Sequence, residues 1–208
     1  LTRQNEQGQE EVKTIDFTHR SVLLDECIEA LDIRPDGIYV DGTAGGGGHS
    51  YEIASHLTDG GRLIAIDQDE NAIAAAGQRL SPFADRVSIV RSNFRAIADV
   101  CASLEVDAID GVLLDLGVSS HQLDTPERGF SYNADAPLDM RMDTGNLLTA
   151  YRVVNEYSES ELRRILFEYG EEKFSSRIAA NIVAARQGSP VETPGELVDI
   201  TKRSMPLM

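Results

Sequence analysis

Ile38-Tyr39-Val40-Asp41-Gly42-Thr43-Ala44-Gly45-Gly46-Gly47-Gly48-His49 decides the fold class of this chain. A short apolar run ends on a carboxylate and breaks at once into a loop with consecutive glycines. A buried strand that hands over to such a loop opens an α/β sheet of the kind that binds ligands outside the carboxyl ends of its strands. Glycine lets bare backbone approach a ligand closely. Taken alone the glycines also read as a flexible connector, so the flanking sequence has to decide.

Upstream, residues 20–31 carry Val22, Leu23, Cys27, Ile28 and Leu31 at helical spacing, and Arg34-Pro35-Asp36-Gly37 makes a turn. Downstream, a helix is expected through Leu57, stopped by Asp59-Gly60-Gly61. Residues 62–66 form the next apolar run and end at Asp67, and Asp69 can cap a helix through Leu80. A third strand is expected at 87–91, a helix from about Phe94 to Leu104, and a fourth strand at 111–114 closing at Asp115. Strand and helix alternate throughout, and the strands are apolar on both faces, which predicts a parallel sheet covered by helices on both sides. Asp41 with its glycines, Asp67, Asn93-Phe94 and Asp115 all fall at carboxyl strand ends, so one shared pocket is expected there.

After Asp115 the pattern changes. Residues 116–143 form a long segment punctuated by Gly117, Pro126, Gly129 and Pro137, and loops of this length are usually functional or disordered. Helices then return. Ser158-Glu159-Ser160-Glu161 has the capping-box pattern, a helix is expected from about Glu171 to Gln187, and Thr193-Pro194-Gly195-Glu196 starts another. The second half therefore reads as mainly helical.

With 208 residues, 41% of them hydrophobic, the chain can bury a sizeable core and is neither fibrous nor disordered in composition. No apolar run approaches the roughly 20 residues of a membrane span, so no membrane is expected. Residues 1–14 are polar, without the basic start and apolar middle of a signal peptide; a flexible leader and a cytoplasmic location are expected. Cys27 and Cys101 sit in apolar helical patterns and read as small buried hydrophobes in a reducing compartment. His19, His49, His56 and His121 form no metal spacing, so no metal is expected. The net charge of −16 argues against a simple phosphate binder. Arg128, Arg141, Arg152, Arg163, Arg164, Lys173, Arg177, Arg186, Lys202 and Arg203 all lie in the second half, so RNA would have to meet a local basic face.

A glycine loop after a first strand can serve three kinds of ligand. A P-loop needs a lysine after its last glycine, where this chain has His49. A dinucleotide fingerprint needs a glycine at its sixth position, where this chain has Ser50 or Tyr51, depending on the starting glycine. An S-adenosylmethionine site needs a tight turn after an acidic strand end and a carboxylate after the second strand for the ribose hydroxyls. Asp41 to Gly48 and Asp67 supply these. Phe94 could stack on adenine or merely begin the core face of its helix. Asp115 could accept a hydrogen bond from an exocyclic amine and aim its lone pair, or simply cap the turn after its strand.

Several segments identify a family. His19-Arg20-Ser21-Val22-Leu23-Leu24-Asp25-Glu26, Asp41-Gly42-Thr43, Gly47-Gly48-His49-Ser50 and Ala65-Ile66-Asp67 closely resemble the RsmH (MraW) family. So do Leu114-Asp115-Leu116-Gly117-Val118-Ser119-Ser120, Glu127-Arg128-Gly129-Phe130-Ser131, Pro137-Leu138-Asp139-Met140-Arg141-Met142-Asp143 and Tyr169-Gly170-Glu171-Glu172-Lys173-Phe174. The stretch from Glu127 to Asp143 is the most specific, because general methyltransferases do not carry it.

The resemblance implies an α/β, Rossmann-like methyltransferase sheet with an inserted helical domain after the fourth strand. It implies S-adenosyl-L-methionine as cofactor and N4-methylation of a cytidine in small-subunit ribosomal RNA. It implies that Gly47, Gly48, His49, Asp67, Phe94, Asp115 and Gln122 hold the cofactor, with Asp115 also the candidate catalytic group. The expected organisation is a leader (1–14), the first part of the methyltransferase domain (15–118) and a helical substrate-recognition region (119–208). Ser21 and His121 stand where the family pattern has proline. Family members continue past the position of Met208 with the last strands of the sheet, so the expectation is either a C-terminally truncated chain that lacks them or a sheet completed by a partner or a second copy, making a homodimer. A chain that binds cofactor or RNA without turnover is the alternative function, and a small-molecule oxidoreductase is disfavoured by the failed dinucleotide pattern.

Overall fold

The computed structural model describes residues 21–58, 60–132 and 136–205. The expected leader and the His19-Arg20 start of the first family segment lie outside the described residues. The elements run α1 (Leu24–Leu31), β1 (Ile38–Asp41), α2 (Gly48–His56), β2 (Arg62–Asp67), α3 (Glu70–Arg79), β3 (Val87–Arg91), α4 (Ile97–Ser103) and β4 (Gly111–Leu113). They continue with α5 (Ser120–Asp124), α6 (Ala150–Glu156), α7 (Glu159–Glu168), α8 (Ser175–Arg186) and α9 (Pro194–Ser204).

All strand pairs are parallel, in the order β3-β2-β1-β4. Successive strands step outward from β1 to β3, and the chain then crosses back to place β4 on the far side of β1. The strand order reverses between β1 and β4, which is where an open parallel sheet forms its ligand crevice. Alternation along the strands splits the core across two faces. Tyr39, Leu63 and Leu113 pack with Ile53 of α2 and Leu57 just past its end against Cys27, Ile28 and Leu31 of α1. Val40, Ile64 and Ile66 pack against Val100 and Cys101 of α4.

The helical half has its own core. Val154, Leu162, Ile178, Ala179, Ile182, Val191 and Ile200 are buried together, joined by Leu138 from the preceding loop. Capping boxes open α7 at Ser158/Glu161, as the sequence pattern predicts, and α9 at Thr193/Glu196, where Pro194 takes the first turn.

Several boundaries differ from expectation. α1 starts at Leu24 rather than residue 20, because Leu23 is left-handed (φ 51) and ends helical propagation. β4 stops at Leu113, so Asp115 lies two residues beyond it. The helix expected from Phe94 opens as a 3-10 turn (Phe94–Ala96) capped by Asn93, and α4 begins only at Ile97. The helix expected from Glu171 begins at Ser175, Glu171 being left-handed (φ 50). Residues 116–149 hold a short capped helix, α5, and a 3-10 turn (Pro126–Arg128). Among the described residues, no helix is long and apolar enough to cross a membrane, and no His, Cys, Asp and Glu cluster is placed to hold a metal.

Candidate functional site

The turn after β1 is stitched to both neighbouring strands. The Gly42 N–H donates to Leu113 O at 2.9 Å, and Ala44 N–H to Ile66 O at 2.9 Å. Asp41, fully buried, accepts from Thr43 N–H (3.0 Å) and from the Ser50 hydroxyl (2.6 Å). Burial pushes its carboxyl above the usual range, and those two donors only partly offset the shift.

Gly45 (φ 51) and Gly47 (φ 77) occupy left-handed conformations that turn the loop into α2. At Gly48 a Cβ would meet the Ser21 hydroxyl, which would have to turn aside. The buried His49 ring places Nε2 3.0 Å from Val22 O and ties the lead-in to α1 onto α2.

Asp67 closes β2. Its carboxylate accepts from Gly45 N–H (2.8 Å) and Asp69 N–H (2.9 Å), so the loop after β1 is clamped to the end of β2. Each oxygen keeps a lone pair for a further donor. Burial raises the Asp67 carboxyl above its usual range, against the pull of these backbone donors. On the other side, Asp115 N–H donates to Thr43 Oγ1 at 2.7 Å, which fixes the Asp115 backbone while its side chain stays exposed.

A cavity of about 600 Å³ opens at this end of the sheet. Gly48, His49, Asp67, Phe94, Asp115 and Gln122 all line it. Gly47 does not; it shapes the loop, its N–H donating back to Ala44 O at 2.7 Å. Gln122 lines the cavity with both polar ends of its side chain engaged. Oε1 accepts from Ser119 N–H (3.0 Å) and Nε2 donates to Asp69 (3.0 Å). It closes the α5 capping box and anchors α5 to the turn between β2 and α3.

Sequence reasoning missed three contributors. Arg79, at the end of α3, brings the one guanidinium among the described residues lining the cavity and lies over the Tyr51 ring at 5.8 Å. Met142 reaches the wall from the long loop, with Gln68 Nε2 3.3 Å from its sulfur. Asp69 was legible only as a cap; its second oxygen lies 2.7 Å from buried Arg128. Spacing predicts none of these, because each depends on how distant segments dock. The expected basic face is also reduced. Arg141, Arg152 and Arg164 pair with Asp139, Glu156 and Glu168, and Arg186 donates to the carbonyls of Val154 and Tyr157.

Comparison with known proteins adds to this geometry. The model of a family described as the MraW methylase family matches residues 16–208. Ribosomal RNA small subunit methyltransferase H 2 of Agathobacter rectalis is 61% identical over 193 residues, 92% of this chain and 62% of that protein. Ribosomal RNA small subunit methyltransferase H of Brevibacillus brevis is 58% identical over 193 residues, 93% of this chain and 62% of that protein. Its namesake from Lachnospira eligens is 58% identical over 192 residues, covering 92% and 61%. The chain thus spans a little over three-fifths of the length of these relatives.

Proposed function

The chain belongs to the MraW methylase family, and from that premise we propose that it binds S-adenosylmethionine in this cavity and methylates the N4 amine of a cytidine in small-subunit ribosomal RNA. The observation that carries the cofactor reading is the Asp67 carboxylate, clamped by Gly45 N–H at the end of β2 and facing the cavity beside Phe94. The relatives' names support the RNA substrate. The resemblance in the segment from Glu127 to Asp143 supports the choice of cytidine N4.

The residues present fit this cofactor. A cavity of about 600 Å³ lies within the usual range for a small-molecule site. Free lone pairs on Asp67 suit ribose hydroxyls, the Phe94 ring offers an apolar face to a base, and the Arg79 guanidinium suits an amino-acid carboxylate. The glycine loop bears no lysine for a phosphate, and this cofactor has none. When bound, S-adenosylmethionine supplies an electrophilic methyl group on a sulfonium.

The chain's own part is positioning. Asp115, its backbone pinned by Thr43, accepts one N–H of the acceptor amine and turns the nitrogen lone pair toward the cofactor side. The proton that the amine sheds on methylation passes through this exposed carboxylate to water. His49, through Val22 O, and Asp41, through the Ser50 hydroxyl, hold the glycine loop in shape.

Calorimetric titration with S-adenosylhomocysteine tests the cofactor assignment. Saturable binding is expected, weakened at least roughly ten-fold in Asp67→Ala through loss of charge-assisted hydrogen bonds. No binding by the folded chain overturns it. Asp115→Ala is expected to keep affinity within about three-fold and to lose about a hundred-fold or more in methyl transfer to small-subunit RNA. Equal losses in both would make Asp115 a cofactor ligand instead. Binding without any transfer would favour a module that holds cofactor but does not turn over.

A further inference from the structure

We propose that Arg128 is a positioning residue that holds the 139–146 strap against the cofactor cavity and thereby places the acceptor base. The proposal rests on the methyltransferase reading above. Arg128 and Asp69 are both over nine-tenths buried, and they come from segments 59 positions apart in the chain. Nη1 of Arg128 lies 2.7 Å from Oδ2 of Asp69, off the line of a directed hydrogen bond, so the contact is a charge pair. Nη2 donates to two carbonyl oxygens of the strap, Arg141 O (2.8 Å) and Met142 O (3.0 Å). The backbone repeats the connection, since Met140 N–H donates to Arg128 O at 3.0 Å.

One side chain thus joins the turn after β2 to the loop that supplies Met142 to the cavity wall. Asp69 belongs to the cofactor side in its own right. Its N–H holds Asp67, its Oδ1 caps α3 through Asn71 N–H (3.0 Å), and its Oδ2 also accepts from Gln122. Two further contacts run parallel to the bridge: Gln68 to the Met142 sulfur, and Arg91 to Asp143 at 3.1 Å. Those contacts are more exposed and so worth less.

A buried ion pair is a poor device for stability, because apolar replacements are often as stable. It is a good device for fixing the register of two segments, since its geometry tolerates little slack. Here it joins Asp69 beside the sheet to a strap whose Leu138 root belongs to the helical core. A guanidinium can reach the carboxylate and both carbonyls at once. An ammonium keeps the charge and loses the span.

The test uses Arg128→Lys, with Asp69→Asn as a second variant that keeps the α3 cap and the N–H to Asp67. Hydrogen exchange of residues 140–146, S-adenosylhomocysteine affinity and methyl transfer to small-subunit RNA are measured on folded protein. Both variants are expected to exchange faster across 140–146. Arg128→Lys is expected to keep cofactor affinity within about three-fold while kcat falls roughly ten- to hundred-fold, the usual cost of a misplaced reactant. Unchanged exchange in both variants overturns the proposal. So does an equal loss of kcat and cofactor affinity, which would assign Arg128 to the cofactor site alone. Failure of the unmodified protein to bind S-adenosylhomocysteine would sink the cofactor reading, while the exchange measurement would still judge the bridge.

Discussion

Asp41 carries its charge without an ion pair among the described residues, held instead by a hydroxyl and one N–H, with His49 helping and Asp67 opposing. Its carboxyl is raised from the ordinary 3.8, so the folded chain keeps a proton that the unfolded chain has already shed. That contribution to stability is complete below the unfolded value and is lost as pH rises through the folded one. Asp41→Asn should remove this slope. The amide can accept from Thr43 and donate to Ser50, so the variant is expected to match or exceed the parent at pH 8 and to lose that advantage toward pH 4. Thermal melts across the interval read this directly, and a constant deficit at every pH would contradict it. Asp67 titrates in the same direction with a functional consequence, because protonation turns one oxygen into a donor and removes the charge that strengthens both as acceptors. Cofactor affinity should therefore begin to fall on acidification at a pH above the ordinary Asp range, and Asp67→Asn should be weak at every pH. An affinity flat in pH for the parent would mean that Asp67 does not face the ligand.

The four strands were legible because each is a run apolar on both faces ending in a polar residue. The same feature placed Asp41, Asp67 and Asp115 at one end of the sheet. The short elements were not legible. α5 has five residues, too few for a helical period to show, although Ser119-Ser120-His121-Gln122 carries the capping-box spacing that could have marked it. α6 follows a loop with no cap signal stronger than Thr149, and its buried face rests on Val154. Least legible was the strap, whose order depends on tertiary contact rather than on a local pattern. Gly129 shows the difference. It ends the 3-10 turn at φ 70, and a Cβ there would overlap Pro137 O and lie 2.8 Å from Asp139 N. Gly129→Ala should therefore cost about 2–3 kcal/mol in urea unfolding, from left-handed strain plus backbone displacement. Gly47→Ala makes a useful contrast. It is also left-handed, but its nearest neighbour is Ala76 Cα at 3.3 Å, so about 1 kcal/mol is expected. Equal costs at the two positions would mean that the strap backbone moves aside at little expense.

At the scale of the molecule the described apolar residues bury themselves around the sheet, on both its faces, and separately in the helical half, and the candidate site lies where the chain passes from one to the other. The sheet core is closed by α1 to α4, while α6 to α9 bury their apolar faces mainly on one another and on Leu138. Polar contacts join the two: Asp69 to Arg128, Arg91 to Asp143, and the strap's own hydrogen bonds. Polar links of this kind orient two cores without merging their stabilities, because most of the free energy of each lies in its buried apolar area. Ile182 tests the separation. It is 2% exposed at the centre of the helical core, and Ile182→Ala removes most of a buried side chain, at a cost of about 2–5 kcal/mol. If the cores are separable, hydrogen exchange should accelerate across α6 to α9 while the amides of β1 and β2 keep their protection. S-adenosylhomocysteine affinity should then stay within about three-fold, because the residues proposed to hold the cofactor belong to the sheet side. RNA methylation should suffer more than cofactor binding, since the strap that carries Met142 is rooted in the weakened core through Leu138. Uniform loss of protection in sheet and helices together would show a single cooperative unit, and the polar bridge would then be a consequence of the shared core rather than the means of joining two.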